Sequence, residues 1–381
     1  MKETSTRKYR ITVLLAILLC LLAACGDSAT ASNTKSATNS STGSKQSPAT
    51  TVVTSTPQVQ AGARPCPATV SDPSHWDPIV ITQNGVNTVS SVTCGNLTGS
   101  DTIQALVTVQ YQGTGQVTDI YVFDAITSPV PTKLFLLQGL YRGSAKISAY
   151  GTILTTEVDQ GSSVNQGKSN ATYQADLFRE FQWSSATGTF IPVSFPGIFP
   201  DLTRYQAEND QQQVDGGSDA WKLDAPSVAS KLAGQLLNWT SIASSTSTSG
   251  GSKQDATATV TVKNTQGGTI QVTLGRLENN TKSGIWEATG VTASGITINT
   301  PQNRDLLRSP FSITGTSGEN GRVTVLDHLY NNVTQGTASV TSANFSTNVS
   351  YNVSFKTGAQ EGLLIVDTGT GAAILKELLG V

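Results

Sequence analysis

Short runs in which apolar and polar residues alternate recur through most of this chain, and they constrain its fold more than any other feature. Residues 103–111 show the pattern, because every second side chain from Ile103 to Val109 is apolar. Successive side chains of a strand point to opposite faces, so the alternation predicts a strand with one buried face. Turn-forming residues separate such runs at short intervals. We therefore expect a multidomain, mainly β protein.

The predicted elements divide the chain after residue 64 into three regions. Residues 65–200 contain strand patterns and no convincing helix, which predicts an N-terminal antiparallel β domain. Residues 201–292 predict a small α+β domain, with helices followed by a three-stranded meander. Residues 293–381 hold seven short strand patterns with turn signals between them, which is typical of an immunoglobulin-like β-sandwich.

The middle region carries the helix signals. Asp201 is predicted to cap a polar helix over residues 204–213, and Asp224 is a good N-cap for a second helix with an apolar stripe at i, i+4 spacing. The Ser, Thr and Gly residues of 244–252 predict a loop before the meander.

The N-terminus has the features of an export signal. Four basic residues precede a nearly continuous apolar run over residues 11–22, which is too short to span a membrane. The following Leu22-Ala23-Ala24-Cys25 resembles the lipobox of bacterial lipoproteins. The resemblance implies that residues 1–24 are a lipoprotein signal peptide and that acyl chains on Cys25 anchor the protein to the outer face of the bacterial cell membrane. The alternative is an ordinary signal peptide that contains a cysteine.

Residues 25–64 are predicted to be a disordered Ser/Thr-rich tether. Of the 39 residues from 26 to 64, 16 are Ser or Thr and none is aromatic. Such a segment cannot bury enough apolar surface to offset the entropy lost on ordering. We expect it to hold the folded part away from the membrane.

Cys66 and Cys94 are the two cysteines that follow position 25. In an exported protein an even pair predicts a disulfide. A metal site is the weaker alternative, because two cysteines without a nearby His or Cys do not complete a four-ligand set.

The last region contains a second resemblance. The residues that carry it are Ile296, Thr297, Ile298, Pro301, Leu307, Ser309, Pro310, Phe311, Ile313, Gly315, Glu319, Gly321, Val323 and the 362–366 strand. They resemble the immunoglobulin-like domain of bacterial spore-germination proteins, and this implies a β-sandwich. Asn320 departs from that family, because it separates a Glu and a Gly that are usually adjacent.

Composition excludes several functions. The formal charge is −2 and only 13% of residues are charged, so the basic surface that nucleic-acid binding needs is lacking. Two histidines, His75 and His328, and a single methionine provide few transition-metal ligands. Nucleophile-elbow and zinc-protease motifs are absent from the sequence. We expect no cofactor, no bound metal and no enzymatic activity.

Four patterns could be interpreted as functional sites, but each also has an ordinary structural explanation. Residues 96–101 resemble a calcium loop without its carboxylates, so a turn is expected. Two acid pairs have the residues of a glycosidase site, but solvated strand edges explain them equally well. Four tryptophans resemble a sugar platform, but core packing is the ordinary role. The acids are Glu157, Asp159, Asp176 and Glu180, and the tryptophans are Trp183, Trp221, Trp239 and Trp286.

These observations predict a non-catalytic, lipid-anchored cell-surface protein that displays interaction modules. Its expected partner is an envelope protein, a wall polymer or a spore-associated component, and loops 316–320 and 330–332 are the expected contact surfaces. The alternatives are a solute-binding lipoprotein of a transporter and a cell-wall hydrolase.

Overall fold

A computed structural model describes residues 62–278 and 283–381. The predicted signal peptide, Cys25 and the tether up to residue 61 lie outside the described residues. Within them the chain is mainly β, with several antiparallel sheets and four α-helices, which confirms the predicted mainly β class.

The helices are α1 Ala68–Ser71, α2 Pro73–Val80, α3 Arg204–Asp215 and α4 Ala225–Leu236. The strands of the first half are β1 Gly62–Arg64, β2 Asn87–Asn96, β3 Gln104–Tyr111, β4 Thr118–Asp124, β5 Thr132–Leu140, β6 Ser144–Ile147, β7 Ile153–Glu157, β8 Leu177–Ser184 and β9 Thr189–Val193. Those of the second half are β10 Ile242–Gly250, β11 Thr257–Asn264, β12 Thr269–Gly275, β13 Glu287–Thr292, β14 Ile296–Thr300, β15 Leu306–Leu307, β16 Phe311–Ser317, β17 Gly321–Leu326, β18 Thr334–Gln335, β19 Ala338–Val340, β20 Ala343–Tyr351, β21 Ala359–Asp367 and β22 Ala372–Gly380.

The N-terminal strands form two antiparallel sheets in simple sequence order, β1 to β5 and β6 to β9. Leu106 and Ile120 of the first sheet pack with Ile153 and Phe181 of the second in one core. β1 contains the last three residues that the sequence analysis assigned to the tether, because Gly62–Arg64 pair with β2. The folded part therefore includes these residues.

Helices α1 and α2 cover the other face of the first sheet, where no helix was predicted. Asp72 caps α2 by accepting a hydrogen bond from Ser74 N, and Pro73 occupies the first helical turn. Trp76 is fully buried against Phe123, with ring centroids 5.0 Å apart. These helices are too short for a periodic apolar stripe, so the pattern analysis missed them.

The middle and C-terminal regions share one nine-stranded sheet in the order β10-β11-β12-β13-β22-β21-β17-β19, with β15 parallel to β22. Val291 of β13 pairs with Ile374 of β22, so strands from both sides of the boundary predicted at residue 292 hydrogen-bond in this sheet. Helix α4 packs on its first half through Val228 and Leu232. The four-stranded sheet β14-β16-β20-β18 shares a core with its second half.

Two local predictions in the middle region are wrong and one is correct. Residues 244–252 were expected to form a loop, but most of them belong to the edge strand β10. The small polar side chains of Ser and Thr fit a strand that is half exposed to solvent. Thr203, not Asp201, caps α3 by accepting a hydrogen bond from Gln206 N. Asp224 caps α4 as predicted, since its carboxylate accepts from Ser227 N.

Candidate functional site

A cleft lies where β8 and β9 of the second N-terminal sheet face β21 and β22 of the large sheet. Its inner part is an apolar cavity of about 300 Å³. This size is at the lower end of the range of about 300–1,000 Å³ found for small-molecule sites. The apolar side chains that line it are Leu137, Phe178, Phe181, Pro192, Val193, Leu306, Ala359 and Leu378.

A second, more polar cavity of about 600 Å³ adjoins the first. Glu180, Pro192, Val193 and Leu378 line both, so the two form one continuous cleft. Its remaining lining residues are Tyr150, Thr152, Gln182, Ser194, Pro196, Arg204 and Arg304.

Arg204, at the start of α3, connects the two sides of the polar part. Its guanidinium forms ion pairs of 2.8 Å with Glu180 Oε1 through Nε and with Glu278 Oε1 through Nη1. It also lies over the Tyr150 ring, 4.4 Å from the centroid. Burial raises the pKa of Glu278 to about 8, although Arg204 opposes the shift. Two nitrogens of the guanidinium are thus bound by carboxylates of the protein.

A buried ion pair lies behind the apolar part. Lys376 of β22 is 3.5 Å from Glu361 of β21 and donates to the carbonyl oxygens of Gly197 and Leu202. Glu361 accepts from Ser194 Oγ at 2.9 Å. Burial raises the pKa of Glu361 and lowers that of Lys376. The pair holds the segment between β9 and α3 against the large sheet.

Arg304 and Leu306 lie at the mouth of the cleft. Leu306 is 52% exposed and pairs in parallel register with Leu378. The Arg304 side chain is exposed, and in the part of the chain that the structure describes no hydrogen bond or ion pair holds its guanidinium. The mouth thus combines an exposed apolar side chain with a free positive charge.

A cluster of acids is buried under α3, away from the cleft. Burial, followed by the charge of Asp210, raises the pKa of Asp201 to about 8. Glu287 is fully buried, and burial followed by Asp201 raises its pKa well above the usual range. Lys222 forms an ion pair with Asp210. The hydroxyl of Tyr330 donates to the Ile198 and Pro200 carbonyls nearby, so the acids lie in a buried junction between the two halves.

The cysteine pair is placed as predicted. Cys66 and Cys94 form a disulfide with Cα atoms 5.2 Å apart, which links β2 to the segment before α1. Cys25, the predicted lipidation site, lies outside the described residues.

Three of the four acids that were considered for glycosidase chemistry lie near one another, and Glu180 is bound elsewhere. Burial, followed by a set of nearby charges that includes Asp159 and Asp176, raises the pKa of Glu157. Glu157 is ion-paired with Arg179, and Glu180 with Arg204. Asp176 accepts a hydrogen bond from the Asp159 backbone N–H, and one carboxylate oxygen of each aspartate has no hydrogen-bond partner among the described residues. Asp159, Asp176 and Glu180 are buried, so solvated strand edges are the wrong explanation for them.

The two histidines lie beside aromatic rings. His75 stands edge-on to Trp76, and His328 is buried against Phe355 with neither ring nitrogen hydrogen-bonded among the described residues. Burial lowers the pKa of His328, although the charges of Asp327, Asp176 and Asp159 oppose the shift. In the calcium-like turn, Asn96 Oδ1 accepts from Gly99 N. Trp239 and Trp286 are buried and Trp183 packs on Phe190, whereas Trp221 lies only partly buried beside Lys231.

One of the two predicted contact loops, residues 330–332, makes its contacts within the protein. The Tyr330 hydroxyl is bonded within the protein, and Asn331 Nδ2 donates to Ser163 Oγ at 3.0 Å. Residues 330–332 therefore pack against the N-terminal half. In the other loop Glu319 and Asn320 are exposed, so that loop is accessible.

Sequence reasoning missed the cleft and its ion pairs. One signal was present: Lys376 and Glu377 interrupt an otherwise apolar strand over Ala372–Gly380. A charged pair inside such a run indicates buried partners. Arg304 and Leu306 carried no comparable signal, because the cleft joins segments more than 100 residues apart.

Comparison with known proteins finds no family model that matches this chain and no curated protein with significant similarity. Among residues 62–278 and 283–381, no helix is long and apolar enough to cross a membrane. The same residues contain no cluster of His, Cys, Asp and Glu with the geometry of a metal site.

Proposed function

We propose that this is an exported, lipid-anchored binding protein of the bacterial cell envelope and that its cleft receives the ligand or partner. The main support for the proposal is that most charged side chains lining the cleft are already bound by other groups of the protein. Glu180, Arg204 and Glu361 already have protein partners, and the inner wall is apolar. Such a site provides binding surface and leaves no acid–base pair positioned to act on a substrate.

The cellular setting rests on the sequence. The signal over residues 1–24, the lipobox at Cys25 and the tether over residues 25–64 support membrane attachment outside the cytoplasm. The disulfide between Cys66 and Cys94 agrees with an oxidising compartment.

We further propose that residues 293–381 are an immunoglobulin-like sandwich related to that of spore-germination proteins. Its support is the sequence likeness together with two facing sheets that share one core. A wall- or envelope-facing interaction role follows from this proposal. A solute-binding lipoprotein is the second candidate, favoured by a cleft between two β layers. A wall hydrolase is a weaker alternative, because two of the four candidate acids, Glu157 and Glu180, are ion-paired with arginines.

The test is a cross-linking pull-down from native envelopes with the chain from residue 25 as bait. Leu306→Glu places a charge at the cleft mouth, and Val130→Glu is the matched control at a residue that is 80% exposed and does not line the cleft. We expect Leu306→Glu to lose the specifically captured component and Val130→Glu to retain it. Equal capture by both variants would refute a role for the cleft.

A further inference from the structure

We propose that the cleft binds a single-chain amphiphile with an anionic head group, whose alkyl chain occupies the apolar cavity and whose head group pairs with Arg304. This inference rests on the proposed function and names the chemical class of its ligand. It is argued from the wall, the free charge and the exposed rim of the cleft.

The inner cavity selects for an alkyl chain. Its wall is formed by aliphatic and aromatic side chains from three sheets, including Leu137, Phe181 and Leu378. Water makes few hydrogen bonds at such a wall, so moving an apolar group from solvent into it is favourable. Sugars and peptide backbones need several polar partners, which this apolar wall does not provide. Arg179 at the inner end is bound to Glu157 and to the Thr357 carbonyl, and its buried Nε has no hydrogen-bond partner among the described residues.

The outer end selects for an anion. Of the arginines that line the cleft, Arg179 and Arg204 are ion-paired, and only Arg304 has no partner within residues 62–278 and 283–381. A guanidinium binds carboxylate and phosphate groups through paired N–H donors. Glu180 and Glu361 are buried and satisfied, so they offer no comparable site for a cation.

Leu306 connects these two ends. It lies two residues from Arg304, lines the apolar cavity and is half exposed at its rim. A ligand with an apolar chain and a charged head would cover this side chain while its head group stays beside the arginine. An apolar ligand without a charge would leave the guanidinium without a partner.

The experiment uses the chain from residue 25 with Cys25→Ser, so that no acyl group is attached; the described residues 62–278 and 283–381 belong to one compact unit. Isothermal titration measures dodecanoate and dodecyl phosphate below their micelle concentrations. Dodecyltrimethylammonium supplies the same chain with the opposite charge, and inorganic phosphate supplies the head group alone. We expect saturable one-to-one binding of both anions, at least about tenfold weaker binding of the cation, and none of phosphate.

Two variants separate the charge from the chain. Arg304→Gln should weaken dodecyl phosphate binding about tenfold, whereas Arg322→Gln, which removes an exposed arginine outside the cleft, should leave it unchanged. Ala359→Trp fills the cavity and should abolish binding. Leu306→Glu, at an exposed position, gives the same test if Ala359→Trp fails to fold, and circular dichroism checks each variant.

Equal affinity for the anionic and cationic chains, or unchanged affinity in Arg304→Gln, would overturn the inference. If Leu306→Glu loses the envelope component but no amphiphile binds the unsubstituted chain, the ligand class is wrong and the proposed function stands. A third outcome is that amphiphiles bind as expected while Leu306→Glu captures the envelope component as well as the unsubstituted chain does. In that case the inference stands, and the proposal that the cleft binds the envelope partner is wrong.

Discussion

Strands β3 and β22 both have buried residues on their two faces, but the buried side chains of β3 that pack there are apolar, whereas those of β22 include charged ones. In β3, Ala105 and Val107 face the helices while Leu106 faces the second sheet. In β22, Lys376 and Glu377 are both fully buried in the middle of the strand. The surroundings of β3 are therefore held together by an apolar core and a disulfide. Those of β22 depend also on buried charges, and their stability should respond to pH and to loss of a single ion partner.

The largest effect is expected at the buried ion pair. Lys376→Met removes the partner of Glu361 and leaves that carboxyl in a buried site without its cation. Breaking a buried pair in this way costs about 3–5 kcal/mol. We expect a corresponding fall in the free energy of unfolding, measured by urea titration.

The double variant Lys376→Met with Glu361→Gln is the matched control. It removes both charges and should recover part of the loss, although Gly197 and Leu202 still lack their donor. A single variant as stable as the original chain would show that the ion pair does not hold this half together.

The disulfide is the corresponding feature of the N-terminal half. It closes a loop with a sequence separation of 28 residues. The chain-entropy model gives a contribution of about 3–4 kcal/mol for a loop of this length. Cys66→Ala with Cys94→Ala should therefore lower the urea midpoint of the N-terminal half, followed by fluorescence of buried Trp76.

That substitution should leave the hydrogen-exchange protection of β22 much less affected. If β22 and β3 lose protection equally, the two halves unfold as one unit. The difference between their buried side chains would then not give them different stabilities.

A smaller, pH-dependent effect is expected at Glu377. Burial, with the charge of Asp305 next, raises its pKa to about 9, against about 4.3 in an unfolded chain. The folded state therefore retains a proton that the unfolded state has lost. Stability contributed by this group therefore falls as the pH rises between about pH 4.3 and pH 9.

Glu377→Gln removes this dependence. We expect the variant to be more stable than the unsubstituted chain at pH 8, and the difference to shrink towards pH 5, as measured by thermal unfolding. Glu319→Gln, at an exposed carboxyl bonded to Thr370, is the control and should show no such trend. A Glu377→Gln difference that is the same at pH 5 and pH 8 would contradict the assignment.

Much of the local structure could be predicted from the sequence, because alternation and capping are local signals. Asp224 and the apolar stripe that follows it predicted α4, and the even pair of cysteines predicted the disulfide. The sheets could not be predicted, since strand order depends on which distant segments meet. Nothing near Val291 indicates that it pairs with Ile374.

The candidate site was less predictable than the fold. Glu180 was noticed as an acid, but its partner Arg204 comes from the start of a helix in another region. Asp201 was predicted to cap a helix, but it lies buried in an acid cluster, and Thr203 caps the helix instead. Long-range packing, which no local pattern encodes, determines these surroundings.

The central claim is that the chain works outside the membrane by binding at its cleft, and photo-cross-linking in living cells tests it most directly. The full chain carries p-benzoylphenylalanine in place of Leu306 or, as control, of Val130. We predict a discrete adduct from position 306 that is absent from position 130 and is lost when Cys25→Ser prevents anchoring. No adduct at position 306, or the same adducts from both positions, would contradict the account.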